Sequence, residues 1–197
     1  MSTSPSSALR DFLSAQFPLT PEQVRALESH YELLLRWNRV LNLTAIEDAK
    51  EAAERHYGES LYLAARLPAG PLRVADVGSG AGFPGFPLAV VRPDCAVTLI
   101  ESHQRKAVFL WEASRKRTNV RVLAQRAEAV ADRFDWVVSR AVSYDGLEGA
   151  LSRLAPGAAL LTGAEAPPAG LGFCWNEPIL LPWGKQRFLR MGLRCFT

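Results

Sequence analysis

Two hydrophobic periodicities divide the chain. Val24, Leu27, Tyr31 and Leu34 recur at helical spacing, which predicts a helix with one buried face. Thr20-Pro21-Glu22-Gln23 marks its start, with a capping threonine, a proline at the first helical position and a glutamine at the third, the makings of a capping box. A shorter helix is expected to end before Pro18, and another to run through EAAERHYGESLYLAARL until Pro68-Ala69-Gly70-Pro71 stops it. Ahead of that last helix Asn38 and Asn42 interrupt the pattern, and Thr44 is its expected cap. From Leu72 onward short apolar runs alternate with helical patterns, the mark of βαβ units in a mostly parallel sheet. Strands are predicted at Leu72 to Val77, Ala96 to Glu101, Val120 to Ala124, Trp136 to Ser139 and Ala158 to Thr162. Helices are predicted to begin near Pro84, His103, Arg126 and Tyr144, and the tail from Gly172 suits a closing antiparallel pair. The expected division is a helical extension over 1–67 packed on a catalytic domain over 68–197, the two forming one structural unit.

A chain of 197 residues, 48% hydrophobic and 22% charged, fits one globular domain with appendages and excludes fibrous and disordered classes. No stretch approaches the roughly 20 apolar residues of a membrane span, and MSTSPSSALRDF does not read as a leader, so a cytoplasmic location without a membrane partner is expected. Cys95, Cys174 and Cys195 are odd in number and lack a CxxC spacing; neither a disulfide framework nor a metal site is expected from them. A net charge of +3 is compatible with an anionic partner and does not by itself identify one.

The chemistry concentrates in Val74-Ala75-Asp76-Val77-Gly78-Ser79-Gly80-Ala81-Gly82-Phe83-Pro84-Gly85, where the first strand turns into a helix. Gly80 to Gly85 satisfies the GxGxxG pattern of dinucleotide sites, in which backbone amides approach a pyrophosphate. The same run also reads Asp76-x-Gly78-x-Gly80-x-Gly82. A carboxylate there repels a pyrophosphate and attracts the ammonium group of a methionine moiety, which favours S-adenosylmethionine. Glu101 ends the second strand where an acid can accept hydrogen bonds from ribose hydroxyls, a feature shared with NAD enzymes. Gln125-Arg126-Ala127-Glu128 and Ser139-Arg140-Ala141 close the next two strands at their carboxyl ends, where open α/β sheets bind ligands.

WNRVLNLTAI, RHYGESL, DVGSGAGFPGFPLAVVRP, ESHQRKAVFL and SRAV, in this order, resemble the RsmG (GidB) family of bacterial 16S rRNA guanine-N7 methyltransferases from about Tyr31 to Gly157. The resemblance implies a class I S-adenosylmethionine-dependent methyltransferase: a Rossmann-like, mostly parallel seven-stranded sheet with helices on both faces and a helical N-terminal extension. It implies cofactor contacts at Gly78, Phe83, Glu101, Ser102, His103, Ala127, Glu128 and Arg140, with Asp76, Gly80 and Gly82 completing the pocket on the physical argument above. It also implies 16S ribosomal RNA as partner, either naked or in a small-subunit particle. The chain departs from the family at Gly58-Glu59, where a RHxLDSL segment is usual, at Thr162, where a lysine is often found before the glycine, and in a shortened AEAPPAG region.

Guanine N7 presents a lone pair and no proton, so alignment with the sulfonium methyl suffices and no catalytic base is required; Arg140 is the single weak candidate for a catalytic role. His56 and His103 read better as caps or pocket lining than as acid–base groups, and Cys95 as a small buried filler. Arg36, Arg39, Arg55, Lys185, Arg187, Arg190 and Arg194 are candidate phosphate contacts, or else a solvated charged face. Trp37 and Tyr57 are candidates to stack on a base or to fill the core. Two readings from other classes stand beside this one: a methyltransferase of a small molecule or protein, and a non-catalytic RNA-binding module.

Overall fold

In a computed structural model, which describes residues 5–140, 149–168 and 171–195, both periodicities resolve into the elements they imply. Helix α1 spans Pro5–Gln16 and α2 spans Pro21–Asn38. The capping box forms: Thr20 accepts the Gln23 amide while the Gln23 side chain accepts the Thr20 amide. Val24, Leu27, Tyr31 and Leu34 are all buried. Leu27, Tyr31 and Leu34 pack into a core that also takes in Leu9 of α1 and Val74, Leu99 and Leu189 of the sheet, so the helices share one apolar interior with the strands.

The next helix departs from expectation at its start and in its middle. Asp48, not Thr44, caps α3 (Ala49–Ala52) by accepting the Glu51 amide. After α3 the chain winds as a π-helix over Ala53–Gly58 before α4 (Glu59–Ala64) resumes the ordinary winding. π-Segments recur at functional sites because the wider turn re-aims side chains, and this one carries Arg55 and His56. Gly58 lies at its end for a packing reason: a β-carbon there would stand 3.0 Å from Phe12 and 3.1 Å from Trp183. The glycine that breaks the family pattern makes room for those rings.

The sheet follows in the predicted order, with bounds shifted by a residue or so. It comprises β1 (Arg73–Val77), β2 (Ala96–Ile100), β3 (Val120–Leu123), β4 (Trp136–Arg140), β5 (Gly157–Thr162), β6 (Phe173–Trp175), β7 (Ile179–Leu180) and β8 (Phe188–Arg194). Strand order is β3-β2-β1-β4-β5-β8-β6; β1 to β5 are parallel, and β8 runs antiparallel to β5. Among the described residues there are eight strands where seven were expected, because the tail supplies three. β6 pairs with Gly192–Arg194 and β7 with Phe188–Leu189, so the two lie end to end along β8, broken where Pro178 lacks an amide donor. The sheet is therefore seven strands wide.

Helices α5 (Gly85–Val91) and α6 (Gln104–Ser114) begin where predicted. The helix expected near Arg126 is only a 3-10 turn, Ala127–Ala129, whose carbonyls are taken by the Arg153 guanidinium. A helix is described at Ala150–Leu154 (α7); the predicted start near Tyr144 lies outside the described residues. The cysteine expectation is overturned, since Cys174 and Cys195 form a disulfide. The antiparallel pairing of β6 with β8 brings residues 21 positions apart to a Cα separation of 5.3 Å, a proximity that no spacing motif announces. Cys95 is free and buried, as its filler role requires. No helix among the described residues is long and apolar enough to cross a membrane.

Candidate active site

At the carboxyl ends of β1, β2 and β4 the chain encloses a cavity of about 390 Å³, within the usual range for a small-ligand site. The glycine turn forms its floor. Gly78, Gly80 and Gly82 hold φ of 70°, 54° and 89°, the left-handed region that favours glycine. Gly78, Gly80 and Phe83 line the cavity with Glu101 and Arg140, so five of the sequence-derived cofactor residues converge. Glu101 fastens the turn: one carboxylate oxygen accepts the Gly80 amide at 2.9 Å and the other the His103 amide at 2.7 Å.

The remaining candidates lie off the lining. Gly82 faces away from the cavity, and a β-carbon there would stand 3.2 Å from His30 and Phe86. Ser102, His103 and Glu128 are exposed and Ala127 is buried, all outside the lining.

Asp76 is a correction: it is fully buried behind the turn and accepts the Gly85 amide at 2.9 Å, so it caps the start of α5 where a contact with a ligand's ammonium group was expected. Burial pushes its carboxyl up to about 7, opposed by the Gly85 amide. A carboxyl raised in the folded state binds its proton more tightly there than in the unfolded chain. Stability from this group is complete below about pH 4 and falls as pH rises toward 7. Asp76→Asn should therefore gain on wild type across that window, by on the order of 4 kcal/mol at most for a three-unit shift. Denaturant titrations of both proteins at several pH values measure it; parallel stability curves would show that Asp76 does not titrate there.

Of the opposite wall only Arg55 and His56 had been singled out from sequence as site candidates. Leu43, Thr44, Ala45 and Ile46 line it with Arg55, His56 and Lys106. Asn38 folds this segment back: its side-chain carbonyl accepts the Leu43 and Thr44 amides at 2.8 and 3.0 Å, and its amide donates to the Thr44 carbonyl. The Asn38 interruption of the helical pattern was the available signal, and it marks a clamp.

His56 stacks on Phe83 with 4.5 Å between ring centroids and 9° between planes. Its Nδ1 lies 2.6 Å from Arg140 Nη2, and its Nε2 2.8 Å from Thr44 Oγ1. A guanidinium only donates, so Nδ1 must be the acceptor and Nε2 must carry the proton given to Thr44. Burial first, then the Arg140 charge, drives the imidazole down to about 2. His56 is thus a neutral, fixed group that aims Arg140, whose other nitrogen donates to the Arg55 carbonyl at 2.6 Å. Arg140 remains cationic at neutral pH, although burial lowers it to about 10.

The candidate phosphate contacts divide. Arg36 and Arg39 are exposed on and just after α2, and Lys185 is exposed in a turn of the tail. Arg55 lines the cavity, held by Glu51 at 2.6 Å. Arg187, Arg190 and Arg194 are corrections, because each is engaged within the protein. Arg187 grips the buried Glu59 through two bonds of 3.0 and 2.8 Å. Arg190 donates to Thr162 Oγ1 and the Ala164 carbonyl, beside the position where the family lysine is absent. Arg194 donates to the Ser152 carbonyl at the end of β8 beside the start of β5, the edge of the sheet opposite the glycine turn. The aromatic candidates are structural as well: Tyr57 is fully buried on His30, and Trp37 donates to Glu112.

The model of the family described as rRNA small subunit methyltransferase G matches residues 23–147. A ribosomal RNA small subunit methyltransferase G of Xanthomonas campestris pv. campestris is 41% identical over 164 residues, 79% of this chain and 75% of its own. One from Halorhodospira halophila is 43% identical over 151 residues, 74% and 71% of the two chains. One from Desulforamulus reducens is 40% identical over 138 residues, and there the match spans 57% of the relative's length. Among solved structures, magnesium protoporphyrin IX methyltransferase from Synechocystis PCC 6803 with bound SAH aligns at a TM-score of 0.63 and 14% identity, covering 98% of this chain and 100% of that one. A SAM dependent methyltransferase from Aquifex aeolicus aligns at 0.60 and 19%, covering 78% and 97%. These likenesses show the class I methyltransferase fold. With the family model covering most of the chain, this protein belongs to the rRNA small subunit methyltransferase G family.

Proposed function

We propose that the chain transfers the methyl group of S-adenosylmethionine to N7 of a guanine in the decoding-region loop of 16S rRNA, in the cytoplasm, with the RNA naked or in a small-subunit particle. The extension over 1–67 and the domain over 68–197 act as one unit in this reading. The cavity suits the cofactor: its volume is adequate, a β-carbon on Gly80 would meet no atom nearer than the Gly78 carbonyl at 3.8 Å, and Glu101 keeps lone pairs for ribose hydroxyls. Gly78, Gly80, Phe83, Glu101 and Arg140 would hold it, with Ser102, His103, Ala127 and Glu128 beyond the lining. When bound, S-adenosylmethionine supplies an electrophilic methyl on a cationic sulfur.

The observation that carries the choice of target atom is the locked imidazole. His56 Nδ1 accepts from Arg140, so this buried ring offers no free lone pair to remove a proton. Such a site suits a nucleophile with no proton to lose, which needs only alignment with the methyl group. Incubation with the cofactor and 16S rRNA from a strain lacking the modification should yield 7-methylguanosine on nucleoside mass analysis. His56, at about 2, should contribute no limb to single-turnover transfer between about pH 6 and 8. A limb of unit slope that disappears in His56→Gln would overturn the alignment-only mechanism and reopen the target atom.

A further inference from the structure

Away from the cavity, α2 and α6 enclose a second groove of about 450 Å³. Arg25 and Arg36 line it from α2, and Arg115, Lys116 and Arg117 from the end of α6. None of these five side chains makes a hydrogen bond or ion pair among the described residues. Arg55, Arg140 and Arg187, by contrast, are each committed to a carboxylate or carbonyl. Glu22, Glu32 and Glu112 share the groove, leaving two more cations than carboxylates (five against three). The helix dipole accounts for cations where α2 and α6 end. It does not account for Arg25, which lies more than three turns from the end of α2.

Next to the groove, α6 shows solvent two large apolar residues, Val108 at 45% and Trp111 at 47% exposed. With Arg115 they follow at three- and four-residue spacing and therefore share one face. At the other end of α6, Lys106 lines the active cavity. Val108, Trp111 and Arg115 thus form an exposed strip that carries an indole and ends at a groove of unpaired cations.

We propose that this strip is an RNA-binding surface, on which a nucleobase stacks against Trp111 while phosphates of the same strand cross the groove between α2 and α6. The proposal rests on the reading of the chain as an rRNA methyltransferase and adds where the substrate lies outside the pocket. An exposed indole flanked by unpaired arginines matches what a single-stranded segment offers, a flat π-face and a charge at every step. A protein partner would be better served by a continuous apolar patch than by a groove with eight charged residues.

The test measures affinity for naked 16S rRNA across a salt series, affinity for purified small subunits, and affinity for S-adenosylmethionine. Trp111→Ala should weaken RNA binding about 5- to 150-fold, and Trp111→Phe should restore most of it. The triple change Arg115→Ala, Lys116→Ala, Arg117→Ala should flatten the salt dependence by about two to three. Cofactor affinity and melting temperature should stay at wild-type values in both. Unchanged RNA affinity in both variants overturns the surface while leaving the methyltransferase reading intact. Loss of binding to the subunit with naked RNA unaffected also overturns it, and identifies a protein contact. A wild-type chain that binds no rRNA at all fails the underlying reading itself.

Discussion

Gly80→Val is expected to remove cofactor binding from a chain that still folds, with affinity for S-adenosylmethionine falling roughly 100-fold or more, ~2.7 kcal/mol. Two effects act together. Gly80 sits at φ 54°, where a β-branched residue is strained, and the turn is held there by the Gly80 amide on Glu101. The nearest atom to an added β-carbon is the Gly78 carbonyl at 3.8 Å, so the new methyls project into the cavity and away from the core. Local strain can be absorbed by the turn, whereas occupied ligand space cannot. Gly80→Ala separates the two: it carries the strain of a positive φ with little of the bulk, so it should bind measurably and more weakly than wild type. Calorimetry gives the affinities and circular dichroism checks the fold. Wild-type affinity in a folded Gly80→Val would remove the glycine turn from the cofactor site.

What could be read from the sequence depended on how far apart the interacting residues lie. The stripe Val24, Leu27, Tyr31, Leu34 and the Thr20–Gln23 capping box are written within a turn or two, and both appear as predicted. The positions of the first five strands followed from alternating patterns of a few residues each, and the glycine turn from one contiguous run. The misread features depend on partners remote in the chain. His56 was rightly set aside as an acid–base group, but its neutral tautomer is fixed by burial together with Arg140, 84 residues away, and no local pattern reveals that. Asp76 was read as facing a ligand because it precedes the glycines; its real partner is the Gly85 amide, nine residues on, which appears only when the turn folds back. The disulfide depends on strands β6 and β8 pairing across the last edge of the sheet. The tail cations were counted as free charge because their acceptors lie elsewhere in the fold, including an acid 128 residues away.

That acid makes Arg187→Ala the sharper test of how the tail works. Glu59 is 1% exposed at its side chain and Arg187 19%, and two hydrogen bonds join them in a fork. Removing the arginine strands a carboxylate in the interior, which typically costs about 3–5 kcal/mol. For a chain of this length that corresponds to a fall in melting temperature of roughly 6–20 °C. Removing both charges should cost much less, because the penalty arises from the unpaired ion; Glu59→Leu with Arg187→Met should recover most of the loss. A phosphate-contacting arginine behaves in the opposite way. Its removal would leave melting nearly unchanged and would lower the salt dependence of RNA binding by about one. Thermal melts of the two single variants and the double variant, with RNA titrations at two salt concentrations, decide between the roles. A stable Arg187→Ala with weakened, less salt-sensitive RNA binding would return Arg187 to the RNA face, and with it the tail as a substrate-binding element.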